Sequence, residues 1–357
     1  MTTERSLTGR DRAWPGEARP AVPSDWLRVS WLIETSRRVF THWGGESLRA
    51  LLAGPGAVVW YQGRALRGAL LVDAPRGEVA EARLLAMHDD ADPAQCVAET
   101  LPLVERRLAL RGVRWVSFSS PEAWLRELLV AHGYALKDRV ITYARRGLDL
   151  GAQGNPDVVV EEALLEDVPG MLAVDRAAFE PFWRLDAETL RRAMGEGTYT
   201  LVARWGASPH PSPLPGYGQR EAETPHPDPR ASALATAYSG RGREAVIGYL
   251  TADVWEGRAH VVRLAVAPAF QRRGVGTRLM AELFRRMGGG SDGAATSQGL
   301  PSDLREAPVG MAVREVTLNT QETNLRSRLL YEGLGFGVTG GVEEVWAREV
   351  TPAPHKD

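Results

Sequence analysis

Between His260 and Met287 the chain reads HVVRLAVAPAFQRRGVGTRLMAELFRRM, and this stretch carries the clearest chemical signal in the sequence. An apolar strand containing Leu264, Ala265 and Val266 ends at Pro268, and Gln271, Arg272, Arg273, Gly274, Val275, Gly276 and Thr277 open an amphipathic helix. Val275, Leu279 and Leu283 recur at spacing four with Phe284 and Met287 beside them, so one helix face is expected to pack on a sheet. Glycine at a helix opening lets a ligand approach the backbone closely. The unpaired N–H groups of a first turn, backed by the positive end of the helix dipole, form an anion site suited to a pyrophosphate. Arg272 and Arg273 add charge. The competing, purely structural reading is that Gly274 and Gly276 only loosen a turn.

A second stretch, Val316 to Phe336, reads VTLNTQETNLRSRLLYEGLGF. Asn324 alone is a favoured helix N-cap, and Tyr331 alone is a core aromatic with a satisfied hydroxyl. Taken in order, though, the two stretches resemble the GNAT superfamily of N-acetyltransferases. Gln-x-x-Gly-x-Gly after an apolar strand is similar to that family's acetyl-CoA signature. Asn324, Ser327, Leu330-Tyr331 and Gly335-Phe336 stand where the family has Asn-x-x-Ala, Leu-Tyr and Gly-Phe, with Ser327 in place of the commoner Ala. The resemblance implies that pantetheine lies along Leu264, Ala265 and Val266, with the pyrophosphate on the N–H groups from Arg272 to Thr277. It further implies that Asn324 holds acetyl-CoA near its sulfur, and that Tyr331 protonates the departing thiolate. A softer likeness is DRAAFEPFW, Asp175 to Trp183, which resembles the acceptor-lining loop of ribosomal-protein-alanine-type peptide N-terminal acetyltransferases; as plain residues, Phe179, Phe182 and Trp183 are core or lid aromatics. Those enzymes carry a glutamate base where this chain has Asn319. Glu322 is taken as the candidate base, with Asp253, Glu180 and His260 as substitutes.

The elements that must position these residues follow an α/β order. In the C-terminal half, strands are expected at Val158 to Glu162, Tyr199 to Arg204, Ala245 to Val254, Ala259 to Val266, Arg314 to Asn319 and Glu343 to Arg348. Helices are expected near Glu166 to Phe179, Asp186 to Met194, Gly274 to Met287 and Asn324 to Leu334. The N-terminal half repeats a weaker version, with strands at Ala57 to Tyr61, Arg67 to Val72, Ala80 to Met87, Val113 to Phe118 and Val140 to Arg145 and helices at Pro93 to Arg111 and Pro121 to His132. The fold expected is therefore two tandem GNAT-like domains, each a mixed, mostly antiparallel twisted sheet flanked by helices. The first copy lacks the chemistry: His88-Asp89-Asp90-Ala91-Asp92-Pro93 sets three carboxylates at the would-be phosphate turn, and Leu129 stands in the place of Tyr331. The expected boundaries are a disordered arm at 1–24, a degenerate domain at 25–148, a linker at 149–157 and a catalytic domain at 158–350. The last carries flexible insertions near 207–243, which is Pro-rich, and 288–308, which opens on three glycines.

Composition sets the outer limits. The chain has 357 residues, enough for two cores, with 44% hydrophobic and 25% charged residues and a formal net charge of -2. That balance carries no signature for nucleic acid or an anionic membrane, and no apolar run reaches the roughly 18 residues of a membrane span. Cys96 is the single cysteine, so no internal disulfide and no Cys-based metal site is expected, and no metal is assigned; the location expected is cytoplasmic. The activity expected is transfer of an acetyl group from acetyl-CoA to a primary amine of a small molecule. A peptide N-terminus as acceptor and a non-catalytic acyl-CoA-binding regulatory protein stay open as alternatives.

Overall fold

The computed structural model describes residues 16–73, 77–195, 197–205, 245–288 and 313–350. Residues 207–243 and, beyond Gly288, 289–308, where the insertions are expected, lie outside them. The chain forms two compact units, one of Met1–Asp138 with Glu343–Asp357 and one of Arg139–Val342.

In the first unit the elements run β1 (Gly16–Pro20), α1 (Trp26–Thr35), β2 (Arg38–Thr41), α2 (Leu48–Ala53), β3 (Gly56–Gln62), β4 (Ala65–Val72), β5 (Val79–Met87), α3 (Pro93–Ala109), β6 (Trp115–Ser119) and α4 (Ala123–Ala131). The sheet order is β1, β3, β4, β5, β6, antiparallel except for the parallel pair β5 and β6. Strands β3, β4 and β5 are apolar on both faces because helices cover both, as near-continuous hydrophobic runs require. Three elements escape the sequence reading. Helix α1 exposes Leu27 and Trp31 while burying Val29 and Leu32, which blurs its apolar stripe, and β2 and α2 are only a turn or two long. The expected arm at 1–24 also ends early, because Gly16 to Pro20 pair with Gln62 to Val58 of β3 and Arg19 forks onto the buried Asp25 at 2.9 and 3.0 Å.

Strand β7 (Ala135–Arg146) runs across the boundary at Asp138/Arg139. The second unit continues with β8 (Val158–Glu162), α5 (Val168–Ala178), α6 (Ala187–Arg192), β9 (Thr198–Trp205), β10 (Val246–Trp255), β11 (Arg258–Val266), α7 (Val275–Gly288), β12 (Glu315–Gln321), α8 (Leu325–Gly333) and β13 (Gly337–Glu349). Glu256 and Gly257, both with positive φ, make the tight turn between β10 and β11. The order β8, β9, β10, β11, β12 repeats the first unit strand for strand, again with one parallel pair, β11 and β12.

The units do not divide at the expected linker. Within the second unit Val140 to Arg146 of β7 pair antiparallel with β12, and within the first unit Val345 to Glu349 of β13 pair antiparallel with β6. The first sheet is therefore closed by chain that follows the whole of the second unit. The Gly-rich stretch 149–157 marks a turn, whereas the boundaries between the units fall inside β7 and β13, where composition gives no sign. Part of that stretch is built into the second unit: Asn155 N–H donates to Gly274 O at 3.4 Å and its side chain donates to Arg273 O at 2.9 Å.

Ending the chain after Val342 should therefore destabilise the first unit although every element of 16–131 is kept. Buried Val345 and Val350 and the Arg348 to Glu105 ion pair at 3.2 Å are lost, on the order of 3 kcal/mol or more from the apolar burial alone. Amide hydrogen exchange checks this: protection should fall in Trp115–Ser119 and Val79–Met87 while β10 and β11 keep theirs.

Candidate active site

The site is made where a parallel pairing stops. Strands β11 and β12 pair only from Arg258↔Glu315 to Val261↔Leu318, yet both run on, to Val266 and to Gln321. The cause is a β-bulge. Thr251 of β10 faces Arg263, but Ala252 faces Val261, so Val262 is an extra residue on β11. A bulge bends its strand and strengthens the local twist, and the two strands part beyond it. The edge of Arg263 to Val266 that turns away from β10 faces the opening.

Helix α7 begins at the mouth of this notch. Arg272 and Gly274, with φ of 60° and 75°, turn the chain so that the helix starts at Val275 with its first N–H groups unpaired within the helix. A left-handed Arg272 costs about 1 kcal/mol or more, and such strain concentrates at ligand sites. Gln271 bridges the opening, donating from Nε2 to Val266 O at 3.1 Å and accepting from Arg326 Nη1 at 2.9 Å. The resulting cavity of about 360 Å³ is lined by Leu264, Ala265, Val266, Gln271, Arg272, Gly274, Val275, Gly276, Thr277 and Asn324, joined by Phe179, Ser327 and Leu330. Every residue expected to hold acetyl-CoA thus lines one cavity, apart from Arg273, which lies 6.0 Å from the rings of Trp205 and Phe270.

The two glycines have different jobs. A Cβ on Gly274 would meet Asn155 N at 3.0 Å, on the side away from the cavity, whereas a Cβ on Gly276 would meet Leu330, Leu264 and Val266, all cavity-lining. Gly276 is the glycine whose missing side chain leaves room in the cavity, and Gly274 lets the turn pack on Asn155. Asn324 is an N-cap, its side-chain oxygen accepting from Ser327 N–H at 3.2 Å, and also lines the cavity.

Tyr331 sits beneath the lining, buried, its ring 6.1 Å from those of Tyr143 and Phe336. Burial pushes its phenol up to about 12, while the Arg263 charge and a hydrogen bond with Ser327 pull the other way. Arg263 belongs to a cluster that sequence reading missed. Its guanidinium contacts the fully buried Asp175 at 2.7 to 2.9 Å, donates to Trp183 O at 2.5 Å and lies 3.5 Å from the Phe179 ring centroid. Asp175 also accepts from Tyr249 Oη at 2.6 Å and from Leu185 N–H at 2.9 Å. DRAAFEPFW is thereby pinned to the bulge. An aspartate spaced like a helix-surface residue gives no hint of this, because its partners come from β10 and β11.

The candidate bases are scattered. Glu322 is exposed, 3.4 Å from Arg139, and does not line the cavity. Asn319, Asp253 and Glu180 are exposed as well. His260 is half-buried, its Nδ1 2.9 Å from Thr317 Oγ1, and burial lowers its pKa although Asp253 raises it.

The first unit has the same parting and fills it. Strands β5 and β6 pair only from Val79↔Trp115 to Glu81↔Ser117, and Arg83 is the extra residue of a bulge opposite β4. Here β2 pairs with the freed edge, Thr41↔Leu84 through Arg38↔Met87, and buries Phe40. The position open at Arg263 to Val266 is thus taken by the protein's own backbone. At the helix opening Asp92 accepts from Ala94 N–H and Gln95 N–H, so its carboxylate holds amides that a phosphate would need, while Asp89 accepts from Arg37 N–H ahead of β2. Leu129 is buried where a tyrosine would be required. Near this bulge His42, Glu81 and Glu343 could converge on an ion, but Arg83 Nη1 already neutralises Glu81 at 2.9 Å. Among the described residues no helix is long and apolar enough to cross a membrane.

A bulged strand, a parallel neighbour that parts from it and a glycine-opened helix at the mouth define the fold of a GNAT-type acetyltransferase. Residues 199–294 match the family model described as the acetyltransferase (GNAT) family. That match lies within the second unit, and the first unit repeats its strand order. Among solved structures the chain is similar to a GCN5-related N-acetyltransferase from Sphaerobacter thermophilus, at 15% identity and TM-score 0.50, over 95% of this chain and 96% of that one. It is also similar to one from Kribbella flavida, at 11% identity and TM-score 0.54, over 95% and 73%. A third, from Anabaena variabilis, has 10% identity and TM-score 0.52, over 94% and 73%. No curated protein matches the chain.

Gly276→Val should fill the cradle and weaken acetyl-CoA binding by about tenfold or more, on the scale of one lost interaction of about 1.4 kcal/mol, with the fold retained. Gly274→Ala, strained at positive φ and pressed on Asn155, should lower the melting temperature more than Gly276→Val does. Calorimetric titration beside thermal melts separates the two, and equal affinity for Gly276→Val and wild type would remove the cavity as the coenzyme site.

Proposed function

We propose that the second unit transfers an acetyl group from acetyl-CoA to a primary amine of a small molecule. The observation that carries this reading is the meeting, at one cavity, of a free strand edge at Leu264 to Val266 and a helix N-terminus at Val275, with the Tyr331 phenol buried behind the lining residues Ser327 and Leu330. The residues fit the coenzyme because Gly276 leaves space that any side chain would occupy.

In this reading the strand edge binds pantetheine as an added strand would, the N–H groups of 272–277 hold the pyrophosphate, and Asn324 and Ser327 border the thiol end. Acetyl-CoA supplies the thioester that the amine attacks, and the N–H groups of the freed edge stabilise the resulting oxyanion. Tyr331 keeps its proton at neutral pH, since burial holds it near 12, whereas a thiol titrates near about 8.5. The phenol therefore gives up its proton only while the C–S bond breaks, and the nearby Arg263 charge steadies the phenolate. Asn319 in place of the glutamate of peptide N-terminal enzymes supports a small-molecule acceptor over a protein N-terminus.

Tyr331→Phe keeps the ring and its packing, so melting temperature and acetyl-CoA affinity should hold while single-turnover rate falls roughly 10²- to 10⁴-fold. A rate constant within a factor of a few of wild type would show the hydroxyl to be incidental.

A further inference from the structure

Helix α1 of the first unit has apolar residues on two sides. Val29 and Leu32 enter the core, whereas Leu27 and Trp31, at helical spacing i, i+4, share an outward face and are 61% and 52% exposed. The His88 ring stacks on the indole of Trp31, with ring centres 6.0 Å apart and 20° between the planes. Beside this outward face lies a cavity of about 410 Å³, lined by the apolar Leu27, Trp31 and Leu66 and by the cationic Arg28, Arg64 and Arg67.

Each arginine is brought there by a different backbone feature. Arg28 follows Leu27 on α1, and its guanidinium donates to Tyr61 Oη at 3.0 Å. That oxygen also accepts from Arg19 Nη2 at 3.1 Å and donates to the buried Asp25 at 3.2 Å, so Arg28 is held by an ordered network. Arg64 sits in the two-residue turn closed by the Gln62↔Ala65 pair, where Gly63 takes a φ of 60°. Arg67 is the extra residue of a bulge, since Tyr61 faces Leu66 while Trp60 faces Gly68. On a regular strand Leu66 and Arg67 would point to opposite faces, but at the bulge both line the same cavity. A second cavity, of about 380 Å³, shares Arg28 and Arg64 with the first.

Three like charges thus border one cavity, and the carboxylates near them are occupied elsewhere. Asp25 is met by Arg19 at 2.9 Å, Asp89 by Arg37 at 3.5 Å and Asp90 by His88 at 3.6 Å. Among the described residues none of Arg28, Arg64 and Arg67 is paired with a carboxylate, and Glu17 lines only the second cavity. Guanidinium forks match phosphate oxygens, and an exposed aromatic face stacks on a planar ring. A single carboxylate would engage one fork; a chain of phosphates engages several. Both cavities are of the size of small-molecule sites, roughly 300–1,000 Å³. We propose that the first unit binds a nucleoside di- or triphosphate between α1 and the turn at Gly63 and Arg64, with its base on Trp31 and its phosphates on Arg28, Arg64 and Arg67. This site shares no residue with the cavity at Gly276 and is independent of the acetyl-transfer reading. The same chemistry is carried by a free nucleotide and by the nucleotide end of coenzyme A.

The test is calorimetric titration of the full chain with ADP, coenzyme A and inorganic pyrophosphate, made in wild type and in Gly276→Val, where the second unit's cavity is filled. ADP should bind in both. In the Gly276→Val chain, adding Arg64→Ala should weaken ADP by about tenfold or more, and adding Trp31→Ala by about fivefold or more. Trp31→Phe keeps a stacking ring and should hold most of the affinity, and added salt should weaken binding. Arg64 and Trp31 are exposed, so the melting temperature should stay close to that of the parent chain. Coenzyme A binding more tightly than ADP at this site would name the coenzyme as the source of the nucleotide, and ADP binding as tightly or more so would name a free nucleotide. Absence of ADP binding, its loss in Gly276→Val alone, or undiminished affinity in either Arg64→Ala or Trp31→Ala would overturn the proposal. Pyrophosphate binding as tightly as ADP would overturn it as well, because the ring would then contribute nothing.

Discussion

Everything at this site depends on a hydrogen-bond ladder that ends early. The parallel pairing of β11 with β12 covers four residue pairs, and the extra Val262 on β11 turns the strands apart. Backbone N–H and C=O groups cannot be left without partners away from water. A free strand edge inside a folded unit therefore has to be solvated, covered or bound by a ligand. The second unit leaves the edge open to a cavity, and the first covers it with β2. The same backbone feature thus opens onto a cavity in one unit and is closed over in the other.

The same edge has to be held in place, and that is the work of Asp175. A fully buried carboxylate is tolerated only when it is paired and hydrogen-bonded, and Asp175 is met by Arg263, Tyr249 Oη and Leu185 N–H. Removing either partner would strand the other charge, so the cluster is rigid by necessity. Its effect is to fix the bulge against α5 and to lay Phe179 along the cavity, with Arg263 close enough to Tyr331 to act on its phenol. The loop, the bulge and the proposed acid are thereby mechanically and electrostatically one assembly.

The two copies also differ in how their helix openings are satisfied. In the first, Asp92 caps α3 with its own carboxylate and Pro93 supplies a first residue that needs no partner. In the second, glycine and a left-handed Arg272 leave the amides of α7 for something else. An N-cap carboxylate and a phosphate compete for the same donors, so the acidic loop of the first copy is structural.

The sequence by itself determined the strand and helix order of the second half and of the first from Ala57 onward, because alternation and 3.6-residue periodicity are local. It also determined the turn at 271–277, because glycine beside an apolar strand is a backbone signal. All but one of the residues it named for the coenzyme line the cavity, since they lie in two short stretches whose spacing fixes their side. It did not determine where the units divide, because the boundaries fall inside β7 and β13 with no change in composition. Nor did it reveal that β2 fills the first notch, that Asp175 anchors Arg263, or that Glu322, Asp253 and Glu180 are exposed while His260 is half-buried beside Thr317. Those depend on register between strands far apart in the chain, and a one-residue bulge is enough to reverse which face a side chain meets.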